Sequence, residues 1–321
     1  MAAKSPKLLE QVGESIRTKH YSYRTEQTYV DWIKRFILFH GKRHPKELGA
    51  EEVQEYITYL ANERQVASST QNQALSAIIF LYKYVLQKVI TLPADIIRPN
   101  RPECLPTVLS HQEAMSVIQK TRGTTKLIAQ LLYGSGLRVS ECLQLRIRDL
   151  DFANHQIIVR DGKGENDRAT ILPDSLVSGL KSQVEIARTI HQKDLREGFG
   201  EVSLPNALAK KYPNAPKEFA WQYVFPSTVR SIDPVSKRIK RHHLDVSIAQ
   251  KVVRQAVFAA GLDKPVSPHT FRHSFVTQLL QNGYDIRTVQ ELLGHKDVET
   301  TMIYTHVLQR GAGAVTSPLD E

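Results

Sequence analysis

Only two cysteines, Cys104 and Cys142, occur in 321 residues. That is too few for a disulfide framework and fits a reducing cytoplasm, where both remain free thiols. No run approaches the roughly 20 uninterrupted apolar residues of a membrane-spanning helix, so no membrane segment is expected. The opening stretch, MAAKSPKLLEQVGES, lacks the apolar core of a secretory signal. Internal repeats and low-complexity tracts are also missing. What remains is an ordinary globular composition, 41% hydrophobic, with a formal net charge of +10. The basic excess is shared by both halves of the chain, which favours a polyanionic partner over a merely basic tail.

The length allows two domains, each with its own core. Residues from about Lys7 to Gln87 read as helical. Tyr29, Trp32, Ile33, Phe36 and Ile37 form one apolar stripe that Gly41 ends. Val53, Tyr56, Ile57 and Leu60 form a second, and Leu75, Ile78, Ile79, Tyr82 and Val85 a third, the last preceded by Ser and Thr cap candidates. Lys34, Arg35, Lys42 and Arg43 cluster near the end of the first stripe and suit phosphate contact as a group. Four prolines between Pro93 and Pro106 disfavour a continuing helix and mark a linker, taken as 92–106. Beyond it, Ser110 and Glu113 form a capping box, and Gly134-Ser135-Gly136 stops the next apolar helix. HQIIVRDGKGENDRATILP reads as a β-hairpin with an exposed loop, and about Leu176 to His191 as another helix. A Pro-rich and aromatic stretch, about 192–241, looks like an insertion.

The chemistry gathers near the C-terminus. His269 and Arg272 are three apart and share a helical face; His295 and the phenol of Tyr304 follow. A phenol among cations suggests an attacking oxygen aimed at a phosphate. Phosphoryl transfer without a metal needs a nucleophile, cations on the non-bridging oxygens and an acid for the leaving oxygen. Tyr304 can supply the first, Arg138 and Arg272 the second, and Lys163 at the hairpin tip the third. His269 and His295 can donate hydrogen bonds or move protons.

In order along the chain, GSGLRVSE around Arg138, GKG around Lys163, HTFRHS, LLGH and Tyr304 nine residues after His295 resemble the tyrosine recombinases, the phage-integrase family. The resemblance implies a mainly α fold with a small β-sheet. It places a helical, SAM-like core-binding domain at 1–91 and a mixed α/β catalytic domain at 107–321. It also implies that Tyr304 attacks the scissile phosphate to form a 3′-phosphotyrosyl link, with Arg138, Arg272 and His295 on the transition-state phosphate. Lys163 would be the general acid and His269 would assist proton transfer. Glu141 stands where the family often has a supporting acid, though a structural ion pair explains it equally well. Related hairpins often carry a second lysine where this chain has Asn166, so Lys163 stands alone in its loop. No cofactor is implied.

NALAKKYPNAPKEFAWQYVFPS and SIDPVSKRIKRHH are similar to the added segment of integron integrases, which insert and excise gene cassettes. Such enzymes act on cassette sites folded from one DNA strand into a hairpin with extrahelical bases. Trp221, Pro234, His242 and His243 offer faces for unpaired bases, and Lys210, Lys211 and Arg241 offer charge, while Phe219 and Tyr223 read as local core. The resemblance further implies duplex integration sites, a homotetramer on DNA in which the tail 307–321 docks on a neighbour, and a place at the bacterial nucleoid. Two alternatives stay open: a Xer-like or phage-type recombinase on ordinary duplex sites, and a non-catalytic DNA-binding protein on the same fold.

Overall fold

The computed structural model describes residues 7–92, 106–160, 167–204, 208–294 and 301–302. The chain divides into two compact units, Met1–Cys104 and Leu105–Glu321. Residues 93–105 of the expected linker 92–106, the loop carrying Lys163, and His295, Tyr304 and the tail all lie outside the described residues. No helix among the described residues is long and apolar enough to cross a membrane.

The first unit is helical: α1 (Leu8–Thr18), α2 (Tyr23–Phe39), α3 (Ala50–Asn62) and α4 (Ser68–Phe80), the last continued by one π-turn over Leu81–Val85. Ser22 caps α2, its hydroxyl accepting from the Thr25 N–H at 3.2 Å. The stripes meet as their periodicity requires, with Trp32, Ile33, Phe36, Val53, Tyr56, Leu75 and Ile78 in one core. Two expectations fail locally. Ala67, not a Ser or Thr, stands at the start of α4, so Ser68 and Ser69 fall inside its first turn. Ile79 is 41% exposed. The π-turn instead buries Tyr82, whose hydroxyl donates to the Pro45 carbonyl at 3.0 Å.

The second unit is built around α6 (Gly123–Gly134), which packs against α5 (His111–Gln119), α7 (Val139–Gln144), α8 (Asp174–Arg196), α10 (Val246–Ala259) and α11 (Pro268–Gln281). Its Leu127, Ile128, Leu131 and Leu132 are buried, which explains why it is apolar on most sides. The capping box at α5 forms as read, with Ser110 and Glu113 each accepting from the other's N–H. An antiparallel sheet follows α7: β1 (Leu150–Asp151), β2 (Gln156–Val159) and β3 (Arg168–Ile171), in the order β1-β2-β3. The hairpin expected from the sequence is the β2–β3 pair; β1 adds a third strand. Helix α12 (Ile286–Leu293) lies on β3 and α11. The segment between α8 and α10 holds α9 (Leu208–Lys211) and a two-stranded ribbon, β4 (Ser231–Ile232) and β5 (Ile239–Lys240).

Candidate active site

Sequence places Arg138 just before α7, Glu141 within it, Arg168 at the start of β3, and His269 and Arg272 on α11. The fold brings these five together. Glu141 is their centre. Its carboxylate accepts from Arg138 twice, from the backbone N–H at 2.8 Å and from Nη1 at 2.6 Å. Arg168 forks onto the same carboxylate at 3.1 and 2.7 Å, and Arg272 Nη1 lies 3.6 Å away. Burial pushes the Glu141 carboxyl up, but the hydrogen bonds and charge of Arg168, with those from Arg138, more than reverse this and hold it at about 2. Three guanidiniums around one carboxylate leave net positive charge. That is a field suited to a phosphate.

The two candidate phosphate-binding arginines are held differently. Arg272 is buried, its Nη1 donating to the Gly136 carbonyl at 2.6 Å and Nη2 to the Leu293 carbonyl at 2.8 Å. The Arg138 side chain is 40% exposed. His269 is pulled below the usual imidazole value by burial, then by Arg272 and Arg138. Its neighbour His273 is pulled to about 4 by burial, His269 and Arg272. A neutral imidazole at this position can accept a proton.

Gly136 does more than stop α6. It adopts φ +62, and an added Cβ would lie 2.4 Å from Cδ1 of Phe275. Gly136→Ala is therefore expected to cost the catalytic unit about 2–4 kcal/mol, from the left-handed backbone and from overpacking. It should also disturb the carbonyl that holds Arg272. Calorimetry should show a melting point several degrees lower; a melt unchanged from wild type would refute the steric account.

The insertion is joined to α7 by a backbone ladder. Val224 N–H donates to the Leu145 carbonyl at 2.8 Å and Ile147 N–H to the Gln222 carbonyl at 3.0 Å. On the other side, Ser227 N–H donates to the His242 carbonyl at 2.7 Å and Leu244 N–H to that of Phe225 at 2.8 Å. Trp221 and the histidine pair thus flank one central segment. Trp221 is partly exposed, with the Arg148 guanidinium 4.1 Å from its ring centroid. His243 packs edge-on to Tyr223 at 5.3 Å and its Nδ1 lies 2.7 Å from the Leu244 carbonyl. Nε2 of His242 lies 3.5 Å from Asp233. Tyr223 is buried and Phe219 packs on the main core. A cavity of ≈ 140 Å³ beside Glu141 is lined by Arg146, Asp149, Arg160, Trp221 and Tyr223.

Pro234 is exposed between β4 and β5, and Lys210 and Lys211 are exposed on α9. Arg241 has a different situation: its guanidinium meets Asp194 at 2.5 and 2.7 Å and the Ser227 carbonyl at 2.7 Å. Its charge is met inside the protein, because Asp194 is itself 2% exposed and Arg230 alone, at 3.4 Å, is a looser partner. In the first unit Lys34, Arg35, Lys42 and Arg43 are all exposed. Arg35 pairs with Asp31 at 2.8 Å and Arg43 with Glu52 at 3.5 Å.

Arg168, Arg146, Arg148, Asp194 and Asp233 were not singled out in the sequence. A signal existed for Arg168. Alternation along β3 puts it on the same face as Thr170, whose hydroxyl donates to the Ser135 carbonyl at 2.8 Å in the turn before Arg138.

A DNA-strand-transfer enzyme is the class this fold and site define. Residues 107–310 match the phage integrase family and residues 8–92 the N-terminal SAM-like domain of phage integrases, so the chain belongs to the phage integrase family of tyrosine recombinases. It is 50% identical over 317 residues to an integrase/recombinase of Escherichia coli, covering 99% of this chain and 94% of that one, and equally to one of Pseudomonas aeruginosa. Tyrosine recombinase XerC of Halalkalibacterium halodurans is 30% identical over 264 residues, 79% of this chain and 76% of the relative. XerH bound to palindromic difH, in a post-cleavage complex, has a similar fold: TM-score 0.65 at 20% identity, over 98% of this chain and 84% of that one. The protein is a site-specific recombinase, and DNA is its partner.

Proposed function

We propose that this recombinase inserts and excises integron gene cassettes, recognising folded single-stranded hairpin sites through their extrahelical bases. Tyr304 attacks the scissile phosphorus, forming a 3′-phosphotyrosyl bond as the bond to the 5′-oxygen breaks. Lys163 gives that oxygen its proton, and His269 assists removal of the phenolic proton. Arg138, Arg272 and His295 hold the charge that builds on the non-bridging oxygens. Glu141 acts through the arginines. A freed 5′-hydroxyl then attacks the phosphotyrosine of a partner strand, and two such rounds pass through a Holliday junction. The energy of each broken phosphodiester is kept in the tyrosyl link, so ATP is not consumed.

The observation that carries the hairpin reading is the ladder tying the Trp221 and His242–His243 segments to residues 145–147, which leave α7. It ties the segments that carry these candidate faces to one central segment, and Trp221 shares a cavity lining with Glu141. Shape recognition would tolerate diverse sequences, because an unpaired base marks a position without base-edge readout. Pro234, Lys210 and Lys211 are proposed to complete that surface, Arg241 to hold it in place, and Lys34, Arg35, Lys42 and Arg43 to contact phosphates from the first unit. Assembly as a homotetramer with exchange of the tail 307–321, use of duplex integration sites, and location at the nucleoid belong to the same proposal.

Covalent adduct formation on nicked suicide substrates tests it. Folded hairpins should be cleaved in preference to matching duplexes. Trp221→Ala and His243→Ala should each lower hairpin cleavage about tenfold to a hundredfold, since base stacking is worth ~1–3 kcal/mol, and should spare duplex cleavage. Hairpin cleavage unchanged in both variants would sink the base-stacking account. Strong duplex cleavage with no hairpin adduct would establish the Xer-like alternative instead.

A further inference from the structure

We propose that Arg168 is a positioning residue for DNA cleavage, locking the two phosphate-binding arginines to the end of α12 through one shared carboxylate. This rests on the reading of Arg138 and Arg272 as phosphate binders. Arg168 is turned onto protein partners. Its Nη1 and Nη2 are both on Glu141, its Nε donates to the Leu292 carbonyl at 3.0 Å, and its side chain is only 13% exposed. What it does is set other groups. The same Glu141 oxygens that receive its fork also receive Arg138 Nη1 and the Arg138 backbone N–H, and they sit beside Arg272. A carboxylate held by a planar fork has one orientation, so Arg138 inherits that orientation.

The second half of the lock is at α12. Arg168 takes the Leu292 carbonyl and Arg272 takes the Leu293 carbonyl. These belong to the last turn of the helix, where carbonyls have no intrahelical partner and carry the negative end of the helix dipole. Two guanidiniums therefore clamp adjacent carbonyls while sharing one carboxylate. Gly294 closes the helix at φ +63, and a Cβ there would lie 2.7 Å from the Arg168 Cδ. Glycine is thus required both by the backbone and by the arginine that packs on it. His295 is the next residue in the sequence. One side chain on β3 thereby couples α7, which Arg138 caps, α11, which carries Arg272, and α12, which ends shortly before His295 in the sequence. Lysine cannot replace it, because a point charge cannot fork onto Glu141 and reach Leu292 as well.

Single-turnover cleavage of a nicked suicide substrate by full-length Arg168→Lys and Arg168→Gln tests the assignment. Non-covalent DNA binding should stay within about threefold of wild type. Cleavage should fall about a hundredfold in both, the loss expected of an ångström-scale misplacement. A neutral methylphosphonate at the scissile position separates positioning from folding. With one charged oxygen gone, the arginines have less charge to meet, so the gap between wild type and variant should shrink to under about tenfold. A folding defect would leave the gap the same on both substrates and overturn the proposal, as would wild-type cleavage by Arg168→Lys. If Arg168→Gln does not fold, the Arg168→Lys pair of rates decides alone. Arg138→Ala and Arg272→Ala serve as controls. Normal cleavage by both would remove the phosphate-binding reading itself, an outcome distinct from failure of the Arg168 assignment.

Discussion

Glu141→Leu is expected to cost about 3–5 kcal/mol of stability, the range for removing one partner of a buried ion pair. The leucine would fill the space and remove the carboxylate that Arg168, largely buried, forks onto and that lies beside Arg272, only 4% exposed. It would also free the Arg138 N–H at the start of α7, where Glu141 closes a capping box. Cleavage should fall with stability, because Arg138 and Arg168 lose the group that orients them. Glu141→Gln keeps the shape and should lose less. The pH dependence has a definite sign. The carboxyl is held at about 2 in the folded protein, below its unfolded value near 4.3, so its contribution is complete above that unfolded value. It is lost as pH falls from about 4.3 towards 2. Wild type and Glu141→Gln should therefore converge in melting temperature across that window. A Leu variant that melts within a degree of wild type would contradict the central place given to this carboxylate.

Tyr304→Phe is expected to abolish covalent adduct formation while leaving DNA binding and melting temperature unchanged. Phenylalanine keeps the ring and removes only the oxygen that would bond to phosphorus. No other residue in the HTFRHS to Tyr304 stretch pairs a nucleophilic oxygen with the spacing of the motif, so residual cleavage should be undetectable rather than merely slow. The variant should still gel-shift a full site. Persistence of the adduct, trapped after denaturation, would move the nucleophile elsewhere in the chain.

Much of this molecule was legible before its structure. The helical stripes around Trp32 and Tyr56, the box at Ser110 and the pairing of β2 with β3 follow from local signals, the periodicities of 3.6 and 2 and the cap residues. The family set was legible because its order and spacing are specific. What periodicity could not reveal were contacts made across long separations in sequence. Arg168 finds Glu141 27 residues away and Leu292 124 residues away. Asp194 meets Arg241 across 47. A charged residue in a polar stretch looks the same whether it faces water or a buried partner, so Arg241 read as DNA-facing although its charge is met within the protein. Glu141 had two readings in the sequence, a supporting acid or a structural ion pair. In the fold it pairs with Arg138 and Arg168 and lies beside Arg272, which is the ion pair of the second reading.

The ladder between 145–147, 222–227 and 242–244 sets a limit on how such an enzyme can be shortened. Excising the insertion would strip partners from the Leu145 carbonyl and the Ile147 N–H, and would bare an unpaired backbone edge next to α7. A trimmed enzyme would then have a sticky margin beside its catalytic helix, prone to pairing with other chains. The segment proposed to choose the substrate is also one the catalytic fold leans on. Engineering a new target range should therefore proceed by exchanging side chains along an intact ladder, not by cutting the segment out.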